Sequence, residues 1–423
     1  MQIVHFVEST DVRTGGSSRF ALDAARLMAD AGHPSTVLTL DAASAPHAWL
    51  GNRMGHDTTA PLNAKLPLVR HIGSSKLGAS VLSTEAMRDI RATIKNADVV
   101  HLHNMWSIAT LQVAAACRAM GVPYVLSAHG ELDDAALSRG DLKKKLFMRL
   151  GGRTLVDRAA RVHCAATTEA NHSRQHIMKG REFVAPYLTN LSAFETLPGL
   201  DAAQRELACV RQAKAAGTPL IVFSAPITAA HGVDLLIEAA AQLRDAGEHA
   251  CFVIAGEGAQ RDVARFKKFA AKQRVCDRVH FVGAVTGDVN ASLLQNADLV
   301  VLPTSHENDC HMLLQAMACG TPVLTTRGAD LCKEIGASGG GVIIEQTSSA
   351  LSERISALLA DRAGLRTMGQ QARAWVFDNF SDAVLASRYV QLYQTALGKD
   401  TQVELKPLRL PSLQRLQSVA ATL

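Results

Sequence analysis

Aromatic residues are scarce in this chain, at 4% of 423 residues. So few rings argue against the stacking platforms on which proteins hold single-stranded nucleic acid, and we expect no nucleic-acid partner. The eight cysteines include no Cys-x-x-Cys pair. That spacing disfavours a disulfide frame or a zinc site and indicates buried thiols in a reducing compartment.

Long apolar runs are also missing. No run reaches the roughly 18 residues that a membrane span needs, and no basic leader precedes the first strand-like segment. We therefore expect a cytoplasmic protein. Hydrophobic residues make up 48% and charged residues 20%, and the length suits two domains, each with its own core.

Positive charge is concentrated in residues 142–161, although the net charge is only +5. The basic residues there are Lys143, Lys144, Lys145, Arg149, Arg153, Arg158 and Arg161. Leu142, Leu146, Phe147, Leu150 and Leu155 lie among them. A basic amphipathic helix of this kind can lie on an anionic membrane surface. The sequence favours the plainer alternative, a solvated helix face above a stripe that faces the core.

Strand and helix signals alternate along both halves of the chain, which is typical of parallel sheets with right-handed crossovers. Strands are predicted at residues 2–8, 35–40, 98–103, 123–128, 161–166, 182–185, 219–224, 249–255, 278–282, 297–302, 322–325 and 341–344. Residues 41–80 are predicted to form loops. We expect two Rossmann-like domains, residues 1–195 and 196–379, that face each other across a cleft. A helix over 380–397 is expected to cross back to the first domain, and 398–423 to form a tail.

Residues 303–326 carry the most informative motif. They follow a buried strand, and their loop contains Glu307. A helix is predicted over 311–319, and Gly320 is expected to end it in the left-handed conformation. Loops at the carboxyl ends of parallel strands, leading into helix N-termini, are where such sheets bind ligands.

This stretch resembles the Glu-x7-Glu region of the retaining GT-B glycosyltransferases of family 4. The sequence AMACGTPV closely matches the family, and Glu307 falls on the first glutamate of the pattern. Gln315 stands at the second. Similar segments are the Gly15-Gly16 loop, DVVHLHNMW (98–106), AHGELDD (128–134), AGEG (255–258) and NFSDAVLASRYVQLY (379–393), so the resemblance covers nearly the whole chain.

The resemblance implies transfer of a sugar, with retention, from a UDP- or GDP-linked nucleotide sugar to a saccharide or lipid-linked acceptor. Bacterial surface polysaccharide synthesis is the expected setting, in the cytoplasm or peripherally at the inner face of the membrane through residues 142–161. No Asp-x-Asp sequence occurs. We therefore expect no cofactor and no metal requirement.

Several residues of the first domain are candidates for the site. His129 follows a strand, where a histidine can hydrogen-bond a sugar hydroxyl, and the resemblance places it over the donor sugar. Gly15 and Gly16 can bring backbone N–H groups close to a phosphate, although a plain strand-to-helix turn explains them equally well. The acceptor candidates are Asn104, Trp106, Glu131 and Asp133, but exposed loop acids are common without a role.

His101 and His103 are two residues apart in a predicted strand, so both side chains point to the same face of the sheet. A metal site would need a third ligand, and no other residue has an obvious spacing. The sequence therefore favours a packing role for the two histidines.

The second domain departs from the family at the diphosphate. The arginine and lysine that hold the diphosphate in the family fall on Pro226 and His231. Proline has no N–H to donate, whereas His231 can still donate a hydrogen bond. Helix amides at Gly232 and the side chain of Arg327 are possible replacements.

Glu307 is predicted to bind the sugar hydroxyls, with the alternative that it stabilises a helix N-terminus. The donor-binding candidates are Gly15, Gly16, His231, Gly232, Gly256, Gly258, Gly283, Asn308, Asp309 and Gln315. Two other functions stay open. One is a degenerate, non-catalytic relative that binds a glycan or a protein, and the other is a sugar-phosphate synthase with a small acceptor.

Overall fold

The computed structural model describes residues 1–12, 16–50, 66–75, 78–132, 142–305, 307 and 310–399. These residues form two compact units. Among the described residues, unit 1 contains Met1–Leu188 and the chain from Asp382 to Lys399, and unit 2 contains Thr189–Ser381. Each unit is built on its own parallel sheet, so the predicted class of two Rossmann-like α/β domains is confirmed.

Unit 1 has a seven-stranded sheet in the order β3-β2-β1-β6-β7-β8-β9. The strands of unit 1 are β1 (Ile3–Ser9), β2 (Ser35–Asp41), β3 (Leu68–His71), β4 (Ser74–Ser75), β5 (Gly78–Leu82), β6 (Val99–His103), β7 (Tyr124–Ser127), β8 (Arg161–Cys164) and β9 (Glu182–Val184). Its helices are α1 (Gly16–Asp30), α2 (Thr84–Ile94), α3 (Ile108–Met120), α4 (Leu142–Phe147), α5 (Arg153–Asp157), α6 (Thr167–His172) and the closing helix from Asp382 to Ala396.

The two faces of this sheet differ in chemistry. One face is apolar along the central strands, as the buried Phe6, Leu102 and Leu126 illustrate. On the other face, His5 pairs in register with His101, while His103, Ser127 and His163 form the next row. These five residues are called the histidine face. Their alternation with apolar residues along each strand follows the two-residue period of a β-strand.

Unit 2 has a six-stranded sheet in the order β12-β11-β10-β13-β14-β15. The strands of unit 2 are β10 (Leu220–Ser224), β11 (Cys251–Ala255), β12 (Val279–Gly283), β13 (Leu299–Leu302), β14 (Val323–Thr326) and β15 (Gly341–Ile344). Its helices are α7 (Asp201–Glu206), α8 (Ala208–Ala215), α9 (Val233–Asp245), α10 (Gln260–Lys272), α11 (Gly287–Asn296), α12 (His311–Ala318), α13 (Cys332–Ala337), α14 (Ser348–Ala360) and α15 (Arg362–Phe380).

The last helix of the described chain, α16 (Asp382–Ala396), belongs to unit 1. Asp382 at its start forms an ion pair with Arg26 of α1, with Nη2 and Oδ2 3.3 Å apart. Tyr389 and Tyr393 are fully buried and reach His163 and His101 of the histidine face. None of the helices in the described part of the chain is long and apolar enough to cross a membrane.

Two sequence predictions of local structure are wrong. Residues 68–71 were predicted as loop, but they form the edge strand β3, which pairs in parallel with β2. Residues 142–161 were predicted as one largely helical basic segment, but the helix is interrupted. The chain forms α4, a π-helical turn at Met148–Gly152 with a non-helical Gly151, and then α5. Arg161 begins β8, at the position where the sequence predicts a strand. The consecutive glycines Gly151 and Gly152 explain the break, because glycine is a poor helix former.

Candidate active site

The site in unit 2 forms where the order of its strands reverses. β10 lies between β11 and β13, so the chain runs outward from β10 in one direction through β11 and in the other through β13. Open α/β sheets bind ligands in the crevice at this switch point, outside the carboxyl ends of the strands. The loops after β10 and β13 contain His231 and Glu307.

Glycines let the loops of this crevice approach one another closely. Gly232 has φ 73°, and a Cβ there would overlap the carbonyl oxygen of Pro303. A Cβ at Gly256 would overlap the carbonyl oxygen of Ala225, and one at Gly258 would lie 2.6 Å from that of Ile227. Gly232, Gly256 and Gly258 therefore shape the crevice by admitting backbone where any side chain would collide.

Backbone hydrogen bonds fix the loop that holds Glu307. Ser305 donates to the carbonyl oxygen of Ala230 at 2.7 Å, which joins the loops after β13 and β10. Glu307 donates to Gly328 O, and Asp330 donates to Glu307 O, each at 2.9 Å. The backbone of Glu307 is thus held by the loop that follows β14, and its neighbour Ser305 is held by the loop that follows β10.

His231 connects Glu307 to the start of α9. Its Nε2 lies 3.1 Å from Glu307 Oε2, and its Nδ1 lies 2.8 Å from Thr228 Oγ1. Both side chains are mostly buried, with 15% of His231 and 19% of Glu307 exposed. When the Thr228 hydroxyl donates to Nδ1, Nε2 carries the proton and donates to the carboxylate. The structure thus brings together two residues that the sequence proposed separately.

The other polar candidates of unit 2 also have partners within the protein. Gln315 Nε2 lies 2.8 Å from His311 Nε2, and Gln315 Oε1 accepts from Asn290 Nδ2 at 3.2 Å. Arg327, which we considered as a replacement for the missing phosphate-binding arginine, pairs with Glu345 at 3.1 Å and is largely exposed. Pro226 is exposed at the rim. Gly283 ends β12 with φ 77° and accepts from the Gly256 N–H at 2.8 Å.

Unit 1 has a switch point between β1 and β6. Gly16 begins α1 there, and Asn104, which has φ 64°, donates from Nδ2 to Ser17 Oγ at 3.0 Å. This bond joins the loop after β6 to the first turn of α1. Trp106 packs edge-on against Phe147 with ring centroids 5.3 Å apart, and Lys144 lies over its indole at 5.4 Å.

His129 lies just beyond the carboxyl end of β7 with φ 51°, an uncommon conformation for a residue with a side chain. Its Nδ1 is 3.1 Å from the Tyr187 hydroxyl, and its Nε2 is 3.4 Å from His103 Nδ1. The ring stacks on Tyr187 at 5.6 Å. Burial lowers the pKa of His129 to about 3, so the ring is neutral at pH 7 and offers one donor and one acceptor.

Glu131 forms a hydrogen bond within unit 1. Its Oε2 accepts from the Met105 N–H at 2.6 Å, so the carboxylate binds the backbone of the loop after β6. Burial raises the pKa of Glu131 to about 7. This carboxylate therefore connects two loops of unit 1, and its contact with an acceptor stays a prediction.

Four proposed site residues lie outside the described residues: Gly15, Asp133, Asn308 and Asp309. Thr228, Tyr187 and Asn290 were not predicted from the sequence as site residues. Thr228 stands three residues before His231, so a hydroxyl partner for that ring was detectable. Tyr187 and Asn290 reach their partners across 58 and 25 residues, and no local pattern connects them.

Two family models match this chain. The model "Glycosyl transferases group 1" matches residues 205–375, and "Glycosyl transferase 4-like domain" matches residues 15–187. Among curated proteins, the D-inositol 3-phosphate glycosyltransferase of Nocardia farcinica is 28% identical over 65% of this chain and 62% of its own length. The 2-deoxystreptamine glucosyltransferase of Streptomyces kanamyceticus is 24% identical over 89% of this chain and 97% of its own.

Solved structures share the fold. The structure of Anabaena HepE in complex with UDP and glucose superposes with a TM-score of 0.69 at 17% identity, and covers 92% of this chain and 98% of its own. At this identity the likeness concerns the GT-B architecture.

Proposed function

The chain belongs to the group 1 glycosyltransferases of GT-B fold, and we propose that it transfers a sugar with retention from a nucleotide sugar bound in unit 2. The contact between His231 and Glu307 at the switch point of unit 2 carries this proposal. It places an imidazole and a carboxylate in a glycine-lined crevice at the start of α9, where an anionic diphosphate is favoured.

The donor diphosphate is held mainly by neutral donors in this proposal. The first N–H groups of α9 have no partner within the helix, and Gly232 ahead of them offers no capping side chain. His231 can donate its N–H to the diphosphate only by giving up its bond to Thr228 or Glu307. Glu307 faces Nε2, so the pair has little net positive charge to attract phosphate. We expect weaker nucleotide binding than an arginine and a lysine provide, because charge-assisted bonds are about twice as strong as neutral ones.

The sugar is proposed to contact Glu307, whose oxygens accept hydrogen bonds from its hydroxyl groups. His129 of unit 1 is proposed to contact the sugar as well, as the family resemblance implies. For this His129 must exchange its bond to Tyr187 or His103 for one to the substrate. Retention is proposed to proceed through an oxocarbenium-like state in which the departing diphosphate accepts the proton of the incoming hydroxyl, with no metal ion required.

The acceptor is proposed to be a saccharide, carried on a lipid and used for bacterial surface polysaccharide. Three leucines spaced four residues apart support a peripheral contact with the inner face of the membrane. Leu142, Leu146 and Leu150 are 78%, 54% and 75% exposed, whereas Phe147 points inward. Exposed leucines beside Lys143, Lys145 and Arg149 match the combination by which interfacial helices bind anionic lipid.

Nucleotide binding tests the donor site. We would titrate UDP, GDP and ADP into the full-length protein by calorimetry, and then assay release of the diphosphate from UDP- and GDP-sugars. We expect one nucleoside diphosphate to bind, and His231→Ala to weaken it by about tenfold, the value of one charge-assisted bond. His249→Ala is the matched control, since His249 is an exposed histidine of the same unit. Failure of all three nucleotides to bind at millimolar concentration would refute the donor site.

A non-catalytic glycan- or protein-binding role is the second candidate. Pro226 at the family's arginine position and the internal bonding of Gln315 and His231 favour it. Nucleotide binding without release of diphosphate from any donor, in the presence of a panel of saccharide acceptors, would support this role over catalysis.

Vesicle sedimentation tests the membrane contact. We expect the protein to sediment with phosphatidylglycerol vesicles and to remain in solution with phosphatidylcholine vesicles. Leu146→Ser should weaken the binding by about tenfold, because burial of a leucine side chain contributes about 1.5–3 kcal/mol and Leu146 is already partly buried in the protein. Leu200→Ser is the control, because Leu200 is 47% exposed and lies in unit 2. Equal sedimentation of both variants with the wild type would contradict the proposed surface.

A further inference from the structure

His5 supplies the third ligand that the sequence analysis did not find for His101 and His103. β1 and β6 are neighbours, and His5 is the in-register partner of His101. One ring nitrogen from each of His5, His101 and His103 lies within 4.8 Å of the other two. All three side chains are fully buried beneath α1 and α16, where Phe20, Tyr389 and Tyr393 contact the histidine face.

The spacing of these nitrogens suits a shared transition-metal ion. His5 Nδ1 and His103 Nε2 are 3.2 Å apart. Two imidazole nitrogens bound to one tetrahedral zinc at the usual 2.0–2.1 Å are about 3.4 Å apart. A small adjustment of either ring therefore converts this contact into a pair of metal–nitrogen bonds.

Hydrogen bonds behind the rings resemble those that orient metal-binding histidines. His101 has a hydroxyl at each nitrogen: Ser127 Oγ lies 2.7 Å from Nε2, and the Tyr393 hydroxyl lies 2.9 Å from Nδ1. If one nitrogen of His101 binds an ion, the other nitrogen still has a hydroxyl partner. In His103, Nδ1 contacts His129, so Nε2 is the nitrogen that faces His5. Such outer partners fix the tautomer of a ligand histidine.

We propose that His5, His101 and His103 bind one zinc ion in the core of unit 1, with a water or the nearby Tyr393 hydroxyl as fourth ligand. Three nitrogens suit zinc, nickel or copper rather than magnesium or calcium, which prefer oxygen. The ion would stabilise the packing of β1 and β6 against α16. It would also place the proton of His103 on Nδ1, so that His129 accepts at Nε2 and carries its own proton on Nδ1.

Metal content of the tag-free, full-length protein tests this proposal. The chain is expressed in zinc-supplemented medium and freed of loosely held metal by gel filtration, and bound zinc is counted by mass spectrometry. We expect one zinc per chain, and X-ray absorption should show imidazole ligands without sulfur. Cobalt exchanged into the site should give tetrahedral absorption bands with no thiolate charge transfer.

Matched variants locate the ion. His5→Gln and His103→Gln should each lose the zinc, whereas His163→Gln should keep it, because His163 is an equally buried histidine of the same face that bonds Ser127 and Ala185 O instead. If the ligand variants do not fold, the X-ray absorption spectrum of the wild type shows whether the zinc is bound by imidazole nitrogens. No bound zinc in the wild type, sulfur ligation, or zinc retained by folded His5→Gln would each overturn the proposal.

Discussion

The two units share a sheet design but differ in where their polar groups lie. In unit 1 the polar residues stand within the central strands, where His5, His101 and His163 are buried on the covered face. In unit 2 the central strands, such as β10 and β13, are apolar apart from hydroxyl and thiol side chains. The polar residues of the candidate site, His231 and Glu307, lie in the loops. The buried histidines of unit 1 thus bond one another and other residues of the core, whereas His231 and Glu307 of unit 2 bond each other from loops at the crevice.

This difference has a physical consequence for stability. A buried imidazole must find its partners inside the protein and stay neutral, because an unpaired charge in the core is strongly unfavourable. Hydroxyl groups such as that of Thr325, which donates to Leu302 O at 2.7 Å, carry no such sensitivity to pH. Lowering the pH through the range in which histidine titrates should therefore reduce the stability of unit 1 more than that of unit 2.

Acid should destabilise unit 1 far more than unit 2, and we expect this to be the largest effect. The folded pKa values of His5 and His129 are about 3 and that of His163 is about 4, all below the unfolded value of 6.5. Unfolding therefore takes up protons below pH 6.5. The stabilisation is complete above that pH and is lost as the pH falls toward the folded values, at about 1.4 kcal/mol per pH unit for each histidine.

Two carboxyl groups of unit 1 oppose this trend. Burial raises the pKa of Asp23 to about 6 and that of Glu131 to about 7, so both bind protons more readily in the folded state. The histidines outnumber them. Hydrogen exchange at pH 7.5 and 5.5 with chelator present, corrected for intrinsic rates, should show faster exchange in β1 and β6 and little change in β10 and β13. Equal acceleration in both units would contradict this expectation.

The sequence predicted the fold well because alternating strands and helices are a local signal. Twelve strands were placed from such patterns, whereas β3, β4 and β5 were missed because they are only four, two and five residues long and too short to show a clear periodicity. Contacts across strands were not predictable in the same way. His5 and His101 are 96 residues apart, and only the register of β1 and β6 brings them together.

The candidate site was predictable in part. His231 and Glu307 were found from the family pattern, but their contact spans 76 residues. The rule that ligands bind at the strand switch point could have paired them, because each follows one of the two strands at that point. The internal bonds of Glu131 and Gln315 depend on side-chain orientation, and sequence spacing alone does not determine them.

A substitution in the loops of unit 2 should have the second largest effect. Gly232→Ala places a Cβ against Pro303 O, and we expect a loss of about 2–4 kcal/mol in the free energy of unfolding from strain and overpacking. Gly247→Ala is the control, because Gly247 has a similar φ of 77° but open space around it. It should lose only about 1 kcal/mol. Chemical denaturation measures both, and equal losses would show that the close approach is unimportant.

A lysine at position 231, where the family has one, should strengthen nucleoside diphosphate binding by unit 2 and leave unit 1 unchanged. His231→Lys gives unit 2 a permanent charge beside the first turn of α9, and we expect nucleoside diphosphate binding to tighten by about tenfold. The gain should shrink as salt is added, because a charged contact is screened. Calorimetry at two salt concentrations measures this. His249→Lys adds the same charge at an exposed position of unit 2 and serves as the control; a similar gain there would point to nonspecific attraction.

The smallest expected effect compares one buried hydroxyl in each unit. Tyr393→Phe removes the partner of His101 Nδ1, and we expect a loss of about 1 kcal/mol in the free energy of unfolding, together with weaker protection of α16 from hydrogen exchange. Thr325→Val in unit 2 removes a donor to Leu302 O, and the added methyl group partly offsets that loss. Denaturation of both variants should therefore show the larger loss for Tyr393→Phe. A larger loss for Thr325→Val would mean that the histidine face tolerates the loss of a hydrogen-bond partner, and that the Tyr393–His101 bond contributes less to stability than its 2.9 Å length indicates.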